Sequence, residues 1–270
     1  MNYIYVFINQ KTYRPLFFRL KKRSVFSKYS IWAKAQIISV SLGRALMPCL
    51  MSKHIFPYLC PMQNLKTVLY NLPDNKILKS KKEYDFMVWQ PDQKYLVLGR
   101  SNEAEKSLIA EAVDLDKVQV LKRPSGGEAV LLSPNMLIIA VKLPLKIVSK
   151  PHDAFVIVNN IIKESLIKQG ITNIQSRGIS DISIGEQKVL GSAIFKKTDA
   201  VFYHAVLNIS EDVNLIGHYL QHPKREPDYR KGRNHLAFVS SLHKEGYPID
   251  IHALKSHIDT QLQNTFRLQH

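Results

Sequence analysis

Two short stretches of this 270-residue chain bring cations together with bare backbone. In Lys122-Arg123-Pro124-Ser125-Gly126-Gly127 a basic pair runs into two glycines. Glycine lacks the Cβ that keeps a ligand away from the main chain, and successive N–H groups in such a turn can converge on an anionic oxygen. Arg123 adds a fixed, forked cation beside them. The competing reading is a hairpin turn with two solvated cations. In the second stretch, Lys188 stands three residues before Gly191-Ser192-Ala193 on an apolar, alternating segment. Spacing alone makes it a solvated hairpin cation. Two further polar residues, Asp181 and His204, flank that segment. An Asp entering a strand is ordinarily a turn-former, and a lone His in an apolar strand is ordinarily a satisfied core residue.

The elements that would position these residues can be read from the apolar pattern. Val118–Val141 predicts a strand, a tight Gly-Gly turn and a second strand pair, with Leu137–Leu143 so uniformly apolar that both its faces are expected to be buried. Before it, LKTVLYNL, EYDFMVWQ and KYLVLGR predict short strands, the last two forming a hairpin across Pro91-Asp92-Gln93. Residues 101–113 predict a short helix. His152–Gly170 has helical spacing at Phe155, Val158, Ile161, Ile162, Leu166 and Ile167, with Gly170 as its stop. Asp181–Ile184, Lys188–Phe195 and Val201–Ile209 predict an antiparallel meander. A helix over Val213–Leu220, a polar loop over Gln221–Asn234 and an amphipathic helix over Ile251–Leu268 complete the chain.

Composition bounds the class. An apolar fraction of 45% supports a sizeable core, and the formal charge of +16 invites a nucleic-acid reading. That charge is concentrated at the front: residues 1–61 carry ten Lys/Arg and no acid, so the remainder has a net charge of only +6. The expectation is a basic extension over residues 1–61, whether dispensable, mis-started or targeting, followed by a catalytic domain over residues 62–270. Nucleic acid is disfavoured because that domain is only modestly basic and has no recognised binding motif. Cys49 and Cys60 are the only cysteines. They are too few for a disulfide framework or a cysteine zinc site, and they fit a reducing compartment, hence a cytoplasmic location, or an organelle if the extension is a transit peptide. No uncharged apolar run is long enough to predict a membrane span. His218 and His222 are four apart, as a metal pair would be, but no third ligand accompanies them, and no metal site is expected.

Four motifs in order carry a family resemblance. They are Lys122-Arg123-Pro124-Ser125-Gly126-Gly127-Glu128-Ala129-Val130, Ser180-Asp181, Lys188-Val189-Leu190-Gly191-Ser192-Ala193 and His204-Ala205-Val206-Leu207. Over roughly Met62–Ser241 the chain resembles the lipoate-attachment branch of the lipoate-protein ligase, octanoyltransferase and biotin-protein ligase superfamily. The resemblance implies an α/β fold of the α+β type, with a mixed, largely antiparallel central sheet packed by helices. It implies attachment of lipoate or octanoate to a lysine of an apo-lipoyl carrier domain, or of a glycine-cleavage H-type carrier protein, through an acyl-adenylate made with ATP and Mg²⁺. The alternatives are a lipoyltransferase that uses preformed lipoyl-AMP and a non-catalytic basic binding protein.

By the same resemblance, Lys188 holds the acyl-adenylate at its carbonyl and phosphate oxygens. Ser125, Gly126 and Gly127 let acyl chain and phosphate lie against backbone, and Arg123 and Arg100 balance anionic charge. Asp181 orients the adenine, a Mg²⁺ ion or the incoming amine. Gly191, Ser192 and Ala193, on the strand of Lys188, bind substrate or nucleotide, and His204 contacts the nucleotide. Val130 and Leu132 line an acyl tunnel. The chain departs from the family pattern at Glu128, where many ligases have a third glycine, and at Leu131–Pro134, where relatives carry His-Asp. No cysteine follows Cys60, so the cysteine nucleophile of octanoyltransferases is not expected. About 30 residues follow Ser241, fewer than a full accessory domain, which implies a separate activating partner or transfer alone. The basic segment His222–His235 is read as a lid over the nucleotide, a docking surface for an acidic carrier, or a plain solvated loop.

Overall fold

The computed structural model describes residues 65–267; the basic extension expected over residues 1–61 lies outside them. Two sheets organise the chain. The larger is six-stranded and antiparallel throughout, in the order β2 (Asp85–Trp89), β6 (Met136–Pro144), β10 (Ala200–Asn208), β9 (Gln187–Lys196), β8 (Asp181–Ile184), β7 (Ile174–Arg177). The smaller is mixed, in the order β1 (Thr67–Leu69), β4 (Gln119–Lys122), β3 (Tyr95–Leu98), β5 (Val130–Leu132), with β1 and β3 parallel to β4 and β5 antiparallel to β3. The α+β class and the antiparallel character match the expectation; the division into two sheets was not legible from strand patterns alone.

The period of two along β6 and β10 explains the layering. Leu137, Ile139, Val141 and Leu143 on β6, with Val201, Tyr203, Ala205 and Leu207 on β10, face one core. There they pack under two helices, α4 (Asp153–Lys168) and the C-terminal α7 (Ile251–Arg267). The alternate residues face the other way. Met136 joins the cluster of the small sheet, Ile138 packs with Trp89, Tyr95, Val97 and Leu132, and Ala140 packs with Phe202 and Ile77 of α1 (Asn75–Lys79). All nine residues of β6 are buried, as its unbroken apolar run required. At about 25 cal/mol per Å² of apolar surface, such a doubly covered strand is a main source of stability.

Three local expectations are corrected. Strands β2 and β3 do not form a hairpin: residues 90–94 carry the chain from the large sheet to the small one, so Trp89 and Tyr95 meet across the inter-sheet core. Nor is the Gly-Gly segment a hairpin turn, because β3 lies between β4 and β5. Residues 101–113 do not form one helix. Two short helices, α2 (Ala104–Ser107) and α3 (Ala110–Leu115), are separated at Leu108, which is fully buried, extended, and bridged to Leu220 after α5 (Val213–Tyr219). The backbone N–H of Ile109 donates to Tyr219 O at 2.8 Å and that of Gln221 to Ser107 O at 3.0 Å, so tertiary bonding outcompetes helix continuation. Helix α1 and strand β7 were not anticipated. Helices α4, α5 and α7 and the meander β8–β9–β10 form where the pattern placed them.

Candidate active site

A cavity of ≈ 800 Å³ opens between the two sheets. One part of its wall is apolar, from Val97, Val130, Leu132, Met136, Ile138 and Val206. Its polar lining comes from Lys188, Asp181, His204 and the loop residues 221–228 and Arg230. A site with both characters suits an amphiphilic ligand, with an apolar chain at one end and an anionic head at the other.

Lys188 and Asp181 form the polar centre. They lie on β9 and β8, where the register shifts between Ile182 and Ser183, so that Asp181 pairs with Gly191 and Ser183 with Lys188. This irregularity brings both side chains into the cavity wall, with Lys188 Nζ 2.9 Å from Asp181 Oδ1. Ser180 Oγ donates to the same carboxylate oxygen at 3.2 Å and Tyr229 OH to Oδ2 at 2.8 Å. Burial and the neighbouring Asp181 hold the Tyr229 phenol well above its ordinary range, so it remains a donor. Ser192 acts on the same corner: its Oγ and backbone N–H both donate to Ser180 O, at 2.6 and 3.1 Å, tying the approach to Asp181 onto β9.

Gly191 makes room for the lysine. A Cβ there would lie 2.8 Å from both Cε and Nζ of Lys188. The obstructed atoms are the end of a flexible side chain, so Gly191→Ala is expected to cost little stability but to displace the ammonium. Thermal unfolding close to the wild type, with the Lys188 ammonium moved off Asp181 in a crystal structure of the variant, is the expected result.

The Gly-rich segment is held differently from expectation. Arg123 is buried and its donors are taken by protein: Nε by Ser125 Oγ at 3.0 Å, Nη1 by Val97 O at 3.1 Å, and Nη2 by Gly126 O and Glu128 O, both at 2.9 Å. Burial draws the guanidinium down to about 10. Arg123 therefore shapes the loop from within. Arg100 is exposed and its side chain does not line the cavity; its backbone N–H donates to Ser125 O at 2.9 Å. Gly127, with φ of +90°, lines the cavity, whereas Gly126 and Ser125 do not. Glu128 also lines it, with Oε2 accepting from Asn102 Nδ2 at 3.3 Å.

His204 is on the face of β10 that turns toward the small sheet. Its Nε2 shares a hydrogen bond with Ser125 Oγ at 2.7 Å, and its Nδ1 is 3.9 Å from the buried Asp74 Oδ2. Tyr70 OH donates to Asp74 Oδ1 at 2.7 Å. Burial lowers the imidazole below its ordinary value, which keeps His204 neutral. The sign of the linkage follows: the unfolded chain takes up a proton at this histidine below about pH 6.5, while the folded chain resists it to lower pH. Stability is thus expected to be full above that value and to fall as the medium is acidified. His204→Gln is expected to flatten part of that slope in urea unfolding followed at pH 7 and pH 5.5.

The structure thus gathers Lys188, Asp181, Gly191, Ser192, Ala193, Gly127, Arg123 and His204 around one cavity and leaves Arg100, Ser125 and Gly126 out of its lining. Asp74, Tyr70, Tyr229 and Phe238 were not singled out by sequence, and Arg230 only as one cation of the basic segment His222–His235; they sit in loops or short elements with no periodic signal. His218 and His222 do not form a ligand pair, since His218 Nε2 bonds Asp116 Oδ2 at 3.0 Å and His222 Nε2 bonds Glu226 Oε2 at 3.2 Å. Among the described residues no group of three His, Cys, Asp or Glu side chains is placed to hold a metal ion, and no helix is long and apolar enough to cross a membrane.

The two-sheet α+β fold around this cleft defines a structural class that includes a bipartite lipoate protein ligase from Thermoplasma acidophilum, solved in a study that also treats its E2 lipoyl domain. That chain superposes with a TM-score of 0.61 at 18% identity, over 75% of this chain and 83% of its own. A lipoate-protein ligase A bound with ATP superposes with a TM-score of 0.58 at 16% identity, over 72% and 78% of the two chains. By sequence, residues 68–263 match the lipoyl protein ligase A/B catalytic domain, and the chain belongs to that family. The lipoate-protein ligase A of Blochmanniella pennsylvanica is 29% identical over 156 residues, which is 56% of this chain and 42% of the relative. The chain spans about half the length of the curated relatives it matches.

Proposed function

We propose that this chain attaches lipoate, or octanoate, to a lysine of an apo-lipoyl carrier domain or H-type carrier protein through an acyl-adenylate. The observation that carries the reading is the placement of Lys188, with its ammonium on Asp181, in a cavity that is also lined by Val97, Val130, Leu132 and Ile138. An acyl-adenylate has the matching polarity: an apolar chain, a reactive carbonyl and an anionic phosphate in sequence.

The residues divide the work as follows. The acyl chain lies along Val97, Val130, Leu132 and Ile138, which exclude water from the carbonyl. Lys188 leaves Asp181 for the carbonyl and phosphate oxygens, where negative charge develops as the carrier amine attacks; a fixed cation in a dry site is most effective there. The new C–N bond forms, the C–O bond to phosphate breaks, and AMP leaves with the electron pair. Asp181 is then an acceptor for the proton that the amine sheds. When the acid is activated, its carboxylate oxygen bonds to the α-phosphorus of ATP, the α–β phosphoanhydride bond breaks, and pyrophosphate leaves with the electron pair. Mg²⁺ is assigned to the nucleotide phosphates, which would carry it into the cavity with ATP.

The test incubates the protein with an apo-lipoyl domain and either lipoate, ATP and Mg²⁺ or synthetic lipoyl-AMP, and weighs the carrier by mass spectrometry. Modification in both arms identifies a complete ligase. Modification with lipoyl-AMP alone identifies a transferase that depends on a separate activating subunit. An unmodified carrier in both arms would overturn the proposal.

A further inference from the structure

Arginines around the cavity differ in how far the protein satisfies them. Arg123, which the sequence nominates as an anion binder, already donates to one hydroxyl and three carbonyls. Arg233 is used in the same way, donating to the carbonyl oxygens of Tyr229, Arg230, Glu186 and Ala237 at 2.9–3.1 Å. Arg230 is the exception. It is only 4% exposed and lines the cavity, yet its Nη2 is buried with no acceptor.

The Arg230 guanidinium is nevertheless fixed in place. Its Nε donates to Arg233 O at 2.8 Å and stands 3.4 Å from Glu226 Oε2, and its Cζ lies 4.8 Å from the centroid of Phe238. Lys188 Nζ lies 6.0 Å from the centroid of the same ring, so Arg230 and Lys188 both stand beside Phe238, and all three line the cavity. Lys224 and Arg225 add positive charge to that wall. A buried donor without a partner is costly to the folded state, and it is retained where a ligand supplies the acceptor. A planar, pre-oriented guanidinium edge suits two oxygens of a phosphate better than it suits a carbonyl.

We propose that Arg230 is a phosphate-binding residue of the cavity, its unpartnered Nη2 donating to a phosphate oxygen of the nucleotide beside Lys188. The assignment rests on the acyl-adenylate reading above and adds to it the residue that grips the phosphate. It also gives the basic loop its role: the loop carries a ligand-binding arginine into the cavity wall, while Arg233 holds the loop's own backbone in shape.

Calorimetric titration of the full chain with ATP, AMP and adenosine tests this. Wild-type protein is expected to bind ATP and AMP more tightly than adenosine. Arg230→Met is expected to weaken the phosphate-bearing ligands by about ten- to a hundredfold, the loss of a charge-assisted bond, and to leave adenosine unchanged. A loss with both ATP and AMP places Arg230 on the α-phosphate; a loss with ATP alone places it on the β- or γ-phosphate. If Arg230→Met fails to fold, Arg230→Lys decides: it keeps the stem and charge but not the fork, and ATP affinity is expected to fall at least about fivefold. Unchanged ATP and AMP affinity in the folded variant, with the wild type binding both, would overturn the assignment of Arg230 alone. Wild-type protein that prefers neither nucleotide to adenosine would instead overturn the acyl-adenylate reading beneath it.

Discussion

Lys188→Ala is expected to lower single-turnover acyl transfer from lipoyl-AMP to an apo-lipoyl domain by about 10²–10³-fold, the usual cost of removing one donor from a developing oxyanion. The protein is expected to remain folded. Asp181 keeps Tyr229 and Ser180 as donors, and the lysine side chain is 26% exposed, so the stability lost with this ion pair is of order 1 kcal/mol. A variant that transfers at the wild-type rate would remove Lys188 from the mechanism. Lys188→Arg sharpens the comparison: it restores charge but not the compact ammonium beside Gly191, and only partial recovery is expected.

Gly99→Ala is expected to have the largest effect on folding of any single methyl group added near the site. A Cβ at residue 99 would stand 1.9 Å from the backbone oxygen of Gly127 and 2.9 Å from Asn102 Oδ1. Neither atom can yield cheaply. Gly127 O belongs to the loop that Arg123 grips from both sides, and Asn102 Oδ1 accepts the Gly99 N–H at 2.8 Å. Overpacking of this kind costs about 3 kcal/mol, which in a domain of this size lowers the melting temperature by roughly 6–12 °C. Activity is expected to fall further than stability alone explains, because the Gly-rich loop forms part of the cavity wall. Calorimetric melting at the wild-type midpoint, with normal transfer, would show that the two backbones do not meet.

The site was legible where chemistry and pattern coincide in one stretch. Lys188, Asp181, Gly191 and His204 could be named because four motifs occur in order, whereas spacing alone left Lys188 a solvated cation; the register shift that sets Lys188 opposite Ser183 has no local signal in the sequence. The buried run of β6 and the helical spacing of α4 were legible from the apolar pattern itself. What failed depends on contacts between distant residues. Nothing local in Glu83–Arg100 states that β2 and β3 separate into different sheets; that choice is made by Trp89, Tyr95 and Val97 packing against Ile138 and Leu132. The break at Leu108 is set by Leu220, 112 positions away in the chain. Arg123 looked free because its motif is basic; three of its four acceptors come from a loop whose path only the fold defines, and the fourth, Val97 O, from β3. Arg230, Tyr229 and Asp74 stand in segments without periodicity, where residue type alone does not separate a solvated side chain from a buried one.

The most direct measurement is a crystal structure of the protein with a non-hydrolysable lipoyl-AMP analogue. The account predicts the acyl chain against Val97, Val130 and Leu132, Lys188 Nζ withdrawn from Asp181 and within hydrogen-bonding distance of the analogue's carbonyl or phosphate oxygen, and Arg230 on the phosphate. An analogue bound outside the inter-sheet cavity, or bound within it while Lys188 stays on Asp181 out of reach of both oxygens, would contradict the central claim.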